Sequence, residues 1–132
     1  MSKYLTRQTI LEANDIQTEE VNVPEWGGSV LVKAMTGTER DAFEASIIDS
    51  SGKSPKMKFE NARAKLLVKT IVDEDLKNVF SVADIQSLGA KSAAALERVY
   101  NVASRLSKIS PEDIEDLTKN SSTIQEDTSI SN

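Results

Sequence analysis

At 132 residues, 39% of them hydrophobic, the chain has room for one compact domain, and the modest apolar share implies that part of it stays unpacked. With no histidine and no cysteine it lacks the commonest general base, the commonest metal ligand and any disulfide or thiolate site. The net charge of −5 belongs to the end of the chain: after Ile109, six acids (Glu112, Asp113, Glu115, Asp116, Glu126, Asp127) face only Lys119, whereas the first 109 residues balance.

The opening residues, Met1 to Thr6, lack the apolar run of a signal peptide, and no stretch is long or apolar enough to span a bilayer. Thr6 is an N-cap for a short helix, with Leu5 placed to staple onto Ile10, and Asn14-Asp15 closes it. Glu19 to Val23 alternates polar and apolar, the period of a half-buried strand. Pro24-Glu25-Trp26-Gly27-Gly28 reads as a turn, and Ser29 to Met35 as a second strand with Val30, Val32 and Ala34 on one face. The pair predicts an exposed, edge-like β-hairpin over 19–35.

Thr36-Gly37-Thr38-Glu39 has capping-box spacing and predicts a helix over 36–48, followed by a polar, flexible loop from Asp49 to Pro55. A central helix is expected over 59–72, with Ala64, Leu67, Val68 and Ile71 at core spacing and Phe59 and Leu66 on a second apolar side. Ser81 and Asp84 form another capping box, opening a helix over 81–88 that Gly89 ends. The last core helix spans 92–108, with Leu96, Val99, Ala103 and Leu106 inward and Glu97, Arg98, Asn101, Ser104, Arg105 and Lys108 outward. Ser110-Pro111-Glu112-Asp113 starts a small helix over 110–118, and 120–132, rich in Ser, Thr and acids, reads as a disordered acidic tail. The fold class is therefore α+β and mostly helical: a hairpin packed with a bundle of four to five helices, in one domain over 1–119.

Little in this inventory can do chemistry. Asp73-Glu74-Asp75 lacks the loop and glycine of a hard-cation site and reads as a solvated turn. Gly27-Gly28 has no strand–loop–helix context for phosphate. Lys53, Lys56, Lys58, Arg63, Lys65 and Lys69 face only Glu60 within their segment, which raises a nucleic-acid reading; the acidic whole and a single aromatic, Phe59, argue against it. Trp26 either covers the hairpin or anchors a partner. No catalytic residue, metal or cofactor is expected.

The series Glu20-Val21-Asn22-Val23-Pro24-Glu25-Trp26-Gly27-Gly28 followed by Val30-Leu31-Val32 resembles the N-terminal hairpin of tail assembly chaperones from phages and prophages of Gram-positive bacteria. Thr36 to Ala45, Val72-Asp73-Glu74-Asp75 with Phe80-Ser81, Lys91-Ser92 with Ala95-Leu96 and Arg98-Val99, and Leu106-Ser107 extend the likeness over residues 3–118. One departure is Leu76, where glycine is expected after the acidic turn. The resemblance implies a non-enzymatic protein of the host bacterial cytoplasm that binds the tape measure protein and helps recruit the major tail tube protein. It implies a longer frameshift product and absence from the mature virion. Self-association is a further expected contact; membrane and nucleic acid are not expected partners. Trp26, Leu66, Tyr100, Ile114 and Leu117 are the expected partner-binding residues, with a groove between the central and last core helices as the docking place. The alternatives are a small nucleic-acid-binding phage regulator and a head or tail component retained in the virion.

Overall fold

A computed structural model describes residues 3–49, 52–54 and 56–109. Ile114, Leu117 and the expected helix and tail beyond residue 109 lie outside the described residues. The first described element is helix α1 (Arg7–Glu12), capped by Thr6, whose hydroxyl accepts the Thr9 N–H at 3.2 Å. Strands β1 (Thr18–Val23) and β2 (Gly28–Lys33) pair antiparallel from Thr18↔Lys33 to Val23↔Gly28. Between them Pro24–Trp26 makes one 3-10 turn, and Gly27 at φ 80 closes it in the left-handed region that a side chain would disfavour.

The hairpin does not stand alone at an edge. β2 also pairs with β5 (Ile71–Val72), through Leu31↔Val72 and Val32↔Ile71, so the sheet has the order β1-β2-β5. Strand alternation turns Val21, Val23 and Val32 into the core, while Glu20 and Asn22 are exposed and Leu31 is half-buried.

Helix α2 (Gly37–Ser46) carries the expected capping box: the Glu39 N–H donates to the Thr36 hydroxyl and the Thr36 N–H to Glu39 Oε1. Two two-residue strands, β3 (Ile48–Asp49) and β4 (Lys56–Met57), pair where a flexible loop is expected. Helix α3 is shorter than its apolar run. It spans Ala62–Thr70; Phe59 precedes it and is 58% exposed, and Ile71 and Val72 leave it to become β5. Both are β-branched, and extended backbone suits them once β2 offers hydrogen bonds. What remains helical is almost wholly interior: Ala64, Leu66, Leu67, Val68 and Thr70 are buried, and the Thr70 hydroxyl donates to the Leu66 carbonyl.

After β5 the chain reverses through Asp73 to Lys77, and Asn78 bridges back to Val72. Asp73 Oδ1 accepts the N–H groups of Asp75 and Lys77 at 2.8 and 3.0 Å. Leu76 stands at φ 62, the left-handed conformation for which glycine would be the unstrained choice. The acidic run is thus a turn whose first carboxylate is taken up by its own backbone.

A 3-10 turn at Val82–Asp84 leads into helix α4 (Ile85–Gly89), and the Ser81 N–H donates to Asp84 Oδ2 at 2.8 Å. Gly89 lies inside α4 rather than beyond its end. Its lack of a side chain allows close approach, because a Cβ there would come within 2.4 Å of Asn61 Oδ1. Helix α5 (Ala93–Leu106) begins at Ser92, whose hydroxyl accepts the Ala95 N–H, and buries Ala95, Leu96, Val99 and Ala103 against α3 and the sheet. Three-stranded sheet and five described helices thus share one core, in agreement with the α+β class read from sequence.

One charge goes inside with them. Lys33, only 7% exposed, donates through Nζ to Glu39 and to the Ala34 carbonyl. Burial pushes the Glu39 carboxyl up, but the Lys33 ammonium and the Thr36 N–H outweigh it and leave its pKa below the ordinary value. Glu39 therefore serves two partners, one at the helix start and one under it. Replacing Glu39 with Ala strands the ammonium and frees the cap, so we expect a loss of about 3 kcal/mol, whereas Lys33→Met should cost about 1 kcal/mol, since it removes the buried charge along with its bond. Urea unfolding of both variants measures the difference; equal losses would show that the buried ammonium is not the governing cost.

Candidate functional site

Trp26 closes the 3-10 turn at the hairpin tip and packs, half-buried, against the core. Its ring borders two depressions. The larger, about 680 Å³, is lined by Val30, Leu31, Val72, Val79 and Phe80 and rimmed by Glu20, Asp73, Glu74 and Asp75. The smaller, about 420 Å³, is lined by Phe80, Leu88 and Ser87 with Glu25, Asp84 and Lys91 at its margin. Trp26 and Phe80 line both, so the two depressions form one groove running from the sheet to α4. Val79 is 53% exposed within it. Apolar surface of this kind, open to solvent and anchored by tryptophan, is what a protein partner covers.

Electrostatics gives the groove a sign. Four carboxylates and no lysine or arginine line its larger half. Among the described residues, Glu20, Glu74 and Asp75 enter no ion pair. Among these residues no group of acids or other donors could hold a metal ion.

The hairpin beneath is tied to α5 by two arginines whose outward position on the helix concealed their use. Arg98 donates through both terminal nitrogens to the two oxygens of Glu25, at 2.6 and 2.9 Å. Arg105 donates to both oxygens of Glu19 at 2.7 and 2.8 Å. The first pair adjoins Trp26 and steadies the turn that presents it. The bond from Arg98 holds the Glu25 carboxyl down at about 2, against an ordinary 4.5.

The other expected contact residues divide. Leu66 has no exposed surface, because α3 is enclosed by α5, α4, α2 and the sheet, and no partner can touch it in this conformation. Tyr100 is half-buried, its ring 5.7 Å from the Arg63 guanidinium, which also pairs with Glu97. The space expected between α3 and α5 is filled by their own packing. Phe80, Leu31 and Val79, which sequence reasoning did not single out, join Trp26 instead; the signal that could have found them is the apolar cluster Val79-Phe80 beside an acidic turn. The lysine-rich segment is partly consumed as well, since Lys65 Nζ donates to the Ser46 carbonyl at 3.0 Å.

Comparison with known proteins follows this geometry. A family model described as phage tail assembly chaperone matches residues 6–120. The solved structure of the bacteriophage HK97 tail assembly chaperone has a similar fold, with a TM-score of 0.54 and 21% identity, covering 75% of this chain and 94% of that one. No curated protein sequence matches.

The depressed Glu25 pKa carries a sign. A carboxyl held at about 2 when folded and near 4.5 when unfolded stabilises the fold fully above pH 4.5, and that contribution fades as pH falls from 4.5 toward 2. In an NMR titration we expect the Glu25 carboxyl to titrate near 2 in the parent protein and to return toward 4.5 in Arg98→Gln. A Glu25 value that ignores the Arg98 substitution would break the assignment.

Proposed function

This chain belongs to the phage tail assembly chaperone family, and we propose that it works by holding the tape measure protein on the Trp26–Phe80 groove while the tail is built. The observation that carries the reading is the groove itself: an open apolar surface on a folded domain, with the only tryptophan of the chain at its centre. A tape measure protein is a long helix-former that must be kept from associating with itself before the tube surrounds it. An apolar groove accepting an amphipathic helix suits that task, since it covers the client's apolar face and releases it without chemistry. The protein acts as a binding partner and not as an enzyme, works in the cytoplasm of the host, and leaves before the virion matures.

Co-expression tests the groove. A tape measure fragment kept soluble by the parent protein should precipitate with Val79→Lys or Trp26→Ala, and should stay soluble with Arg63→Ala, which alters the Tyr100 face instead. Circular dichroism establishes that each variant is folded. Full rescue by both groove variants would remove the groove from the reading.

Tube recruitment we assign to a longer product. A backward slip of one nucleotide on a sequence such as A-AAA-AAC reads as a residue whose codon ends in A, then Lys, then Asn. Lys-Asn occurs at Lys77-Asn78, inside the domain, and at Lys119-Asn120. Slippage at the first would replace α4 and α5. The second coincides with the end of the family match at residue 120. A module joined there would be tethered at high effective concentration beside the bound client. We expect ACA-AAA-AAC or a close variant over Thr118-Lys119-Asn120, and mass spectrometry of producing cells should find junction peptides. An AAG codon at Lys119, with no other slippery run nearby, excludes the junction.

A further inference from the structure

Helix α1 is a folded element that buries nothing: every residue from Lys3 to Asp15 is exposed. A helix of six residues cannot support itself, because isolated helices below roughly 12 to 15 residues are marginal in water. Leu5, Ile10 and Leu11 are nevertheless 72%, 56% and 66% exposed. Spacings of three and four place Arg7, Ile10 and Leu11 on one face. Glu12 is turned to the other, where its carboxylate accepts a hydrogen bond from Gln8. The face is thus two apolar side chains beside a cation, with Lys3 just upstream. It is the complement of the groove, whose apolar floor lies under Glu20, Asp73, Glu74 and Asp75. Within one molecule the two do not meet, since the arm makes no buried contact.

We propose that the N-terminal arm of one copy occupies the Trp26–Phe80 groove of a second copy, so that a client segment must displace it. The inference rests on the groove being the client site. Ile10 and Leu11 cover Val79 and Phe80, and Arg7 with Lys3 meets the acidic rim. Arm and groove are different surfaces, so the contact is head-to-tail and each copy keeps one free arm or groove at the end of a chain. The arm holds the apolar groove covered until a client with a longer apolar face replaces it.

The test uses two full-length variants. Ile10→Glu/Leu11→Glu spoils the arm and leaves the groove intact. Asp75→Lys/Val79→Lys spoils the groove and leaves the arm intact. All four positions are exposed, so folding is retained, and circular dichroism verifies it. In sedimentation and light scattering the parent should gain mass with concentration, while each variant alone stays a single chain. Mixed in equal amounts, the variants should form a one-to-one pair, because one intact arm then meets one intact groove. Emission from Trp26, the only tryptophan, should shift to the blue in that mixture and shift back in high salt. A mixture that stays monomeric, or an arm variant that self-associates as the parent does, overturns the proposal. So does a parent that stays a single chain with its arm docked on its own groove. These failures remain distinct from failure of the client reading: the arm variant keeps its groove and should hold the tape measure fragment at least as well as the parent. Loss of client solubility in the groove variant alone speaks to the client site and not to the arm.

Discussion

The enclosure of α3 is the constraint on which the other elements depend. Nine residues long, it buries Ala64, Leu66, Leu67, Val68 and Thr70, leaving almost no face for solvent. A helix so short gains little from its own backbone, and each buried leucine contributes about 1.5 to 3 kcal/mol through removal from water. It is stable only because α2, α4, α5 and the sheet cover it together. The chain then passes from α3 directly into β5, so the helix that fills the core also delivers the strand that completes the sheet. Close approach of α4 through Gly89 belongs to the same constraint.

From this arrangement the groove follows. Strand alternation sends Val32 inward and Leu31 outward, and pairing with β5 adds Val72 beside Leu31. Helices cover the inner face. On the outer one, the reversal after Asp73 brings Val79 and Phe80 back alongside the strand, and the hairpin tip supplies Trp26. A turn rich in carboxylates is a natural way to reverse a chain, and here it also sets the charge at the rim. Leu76 occupies a left-handed position within it, so the turn accepts backbone strain that glycine would relieve.

Polar contacts fall into two kinds. The buried pair of Lys33 and Glu39 joins the sheet to the start of α2, and Ser107 at the end of α5 reaches the same junction by accepting the Met35 N–H at 3.0 Å. The exposed pairs of Arg98 with Glu25 and Arg105 with Glu19 hold the hairpin to α5. Exposed pairs stabilise modestly, but a bidentate one constrains direction, and direction is what a tryptophan at a turn tip requires.

By itself the sequence determined what is local. Thr6, Thr36, Ser81 and Ser92 cap helices because a hydroxyl and an N–H three residues on meet whatever the rest of the chain does. The strand period of Glu19 to Val23 and the inward stripe of α5 were legible for the same reason, as was the family, whose marks run in order along the chain. Tertiary structure decided what depends on distant partners. Ile71 and Val72 fit a helical stripe equally well and became a strand only because β2 offered bonds from forty residues upstream. Leu66 read as a second, available face until four elements closed around it. Trp26 shares a groove with Phe80, and Arg98 faces Glu25 across 73 positions, because a spacing rule ends where one helix or strand ends and packing brings separate elements together.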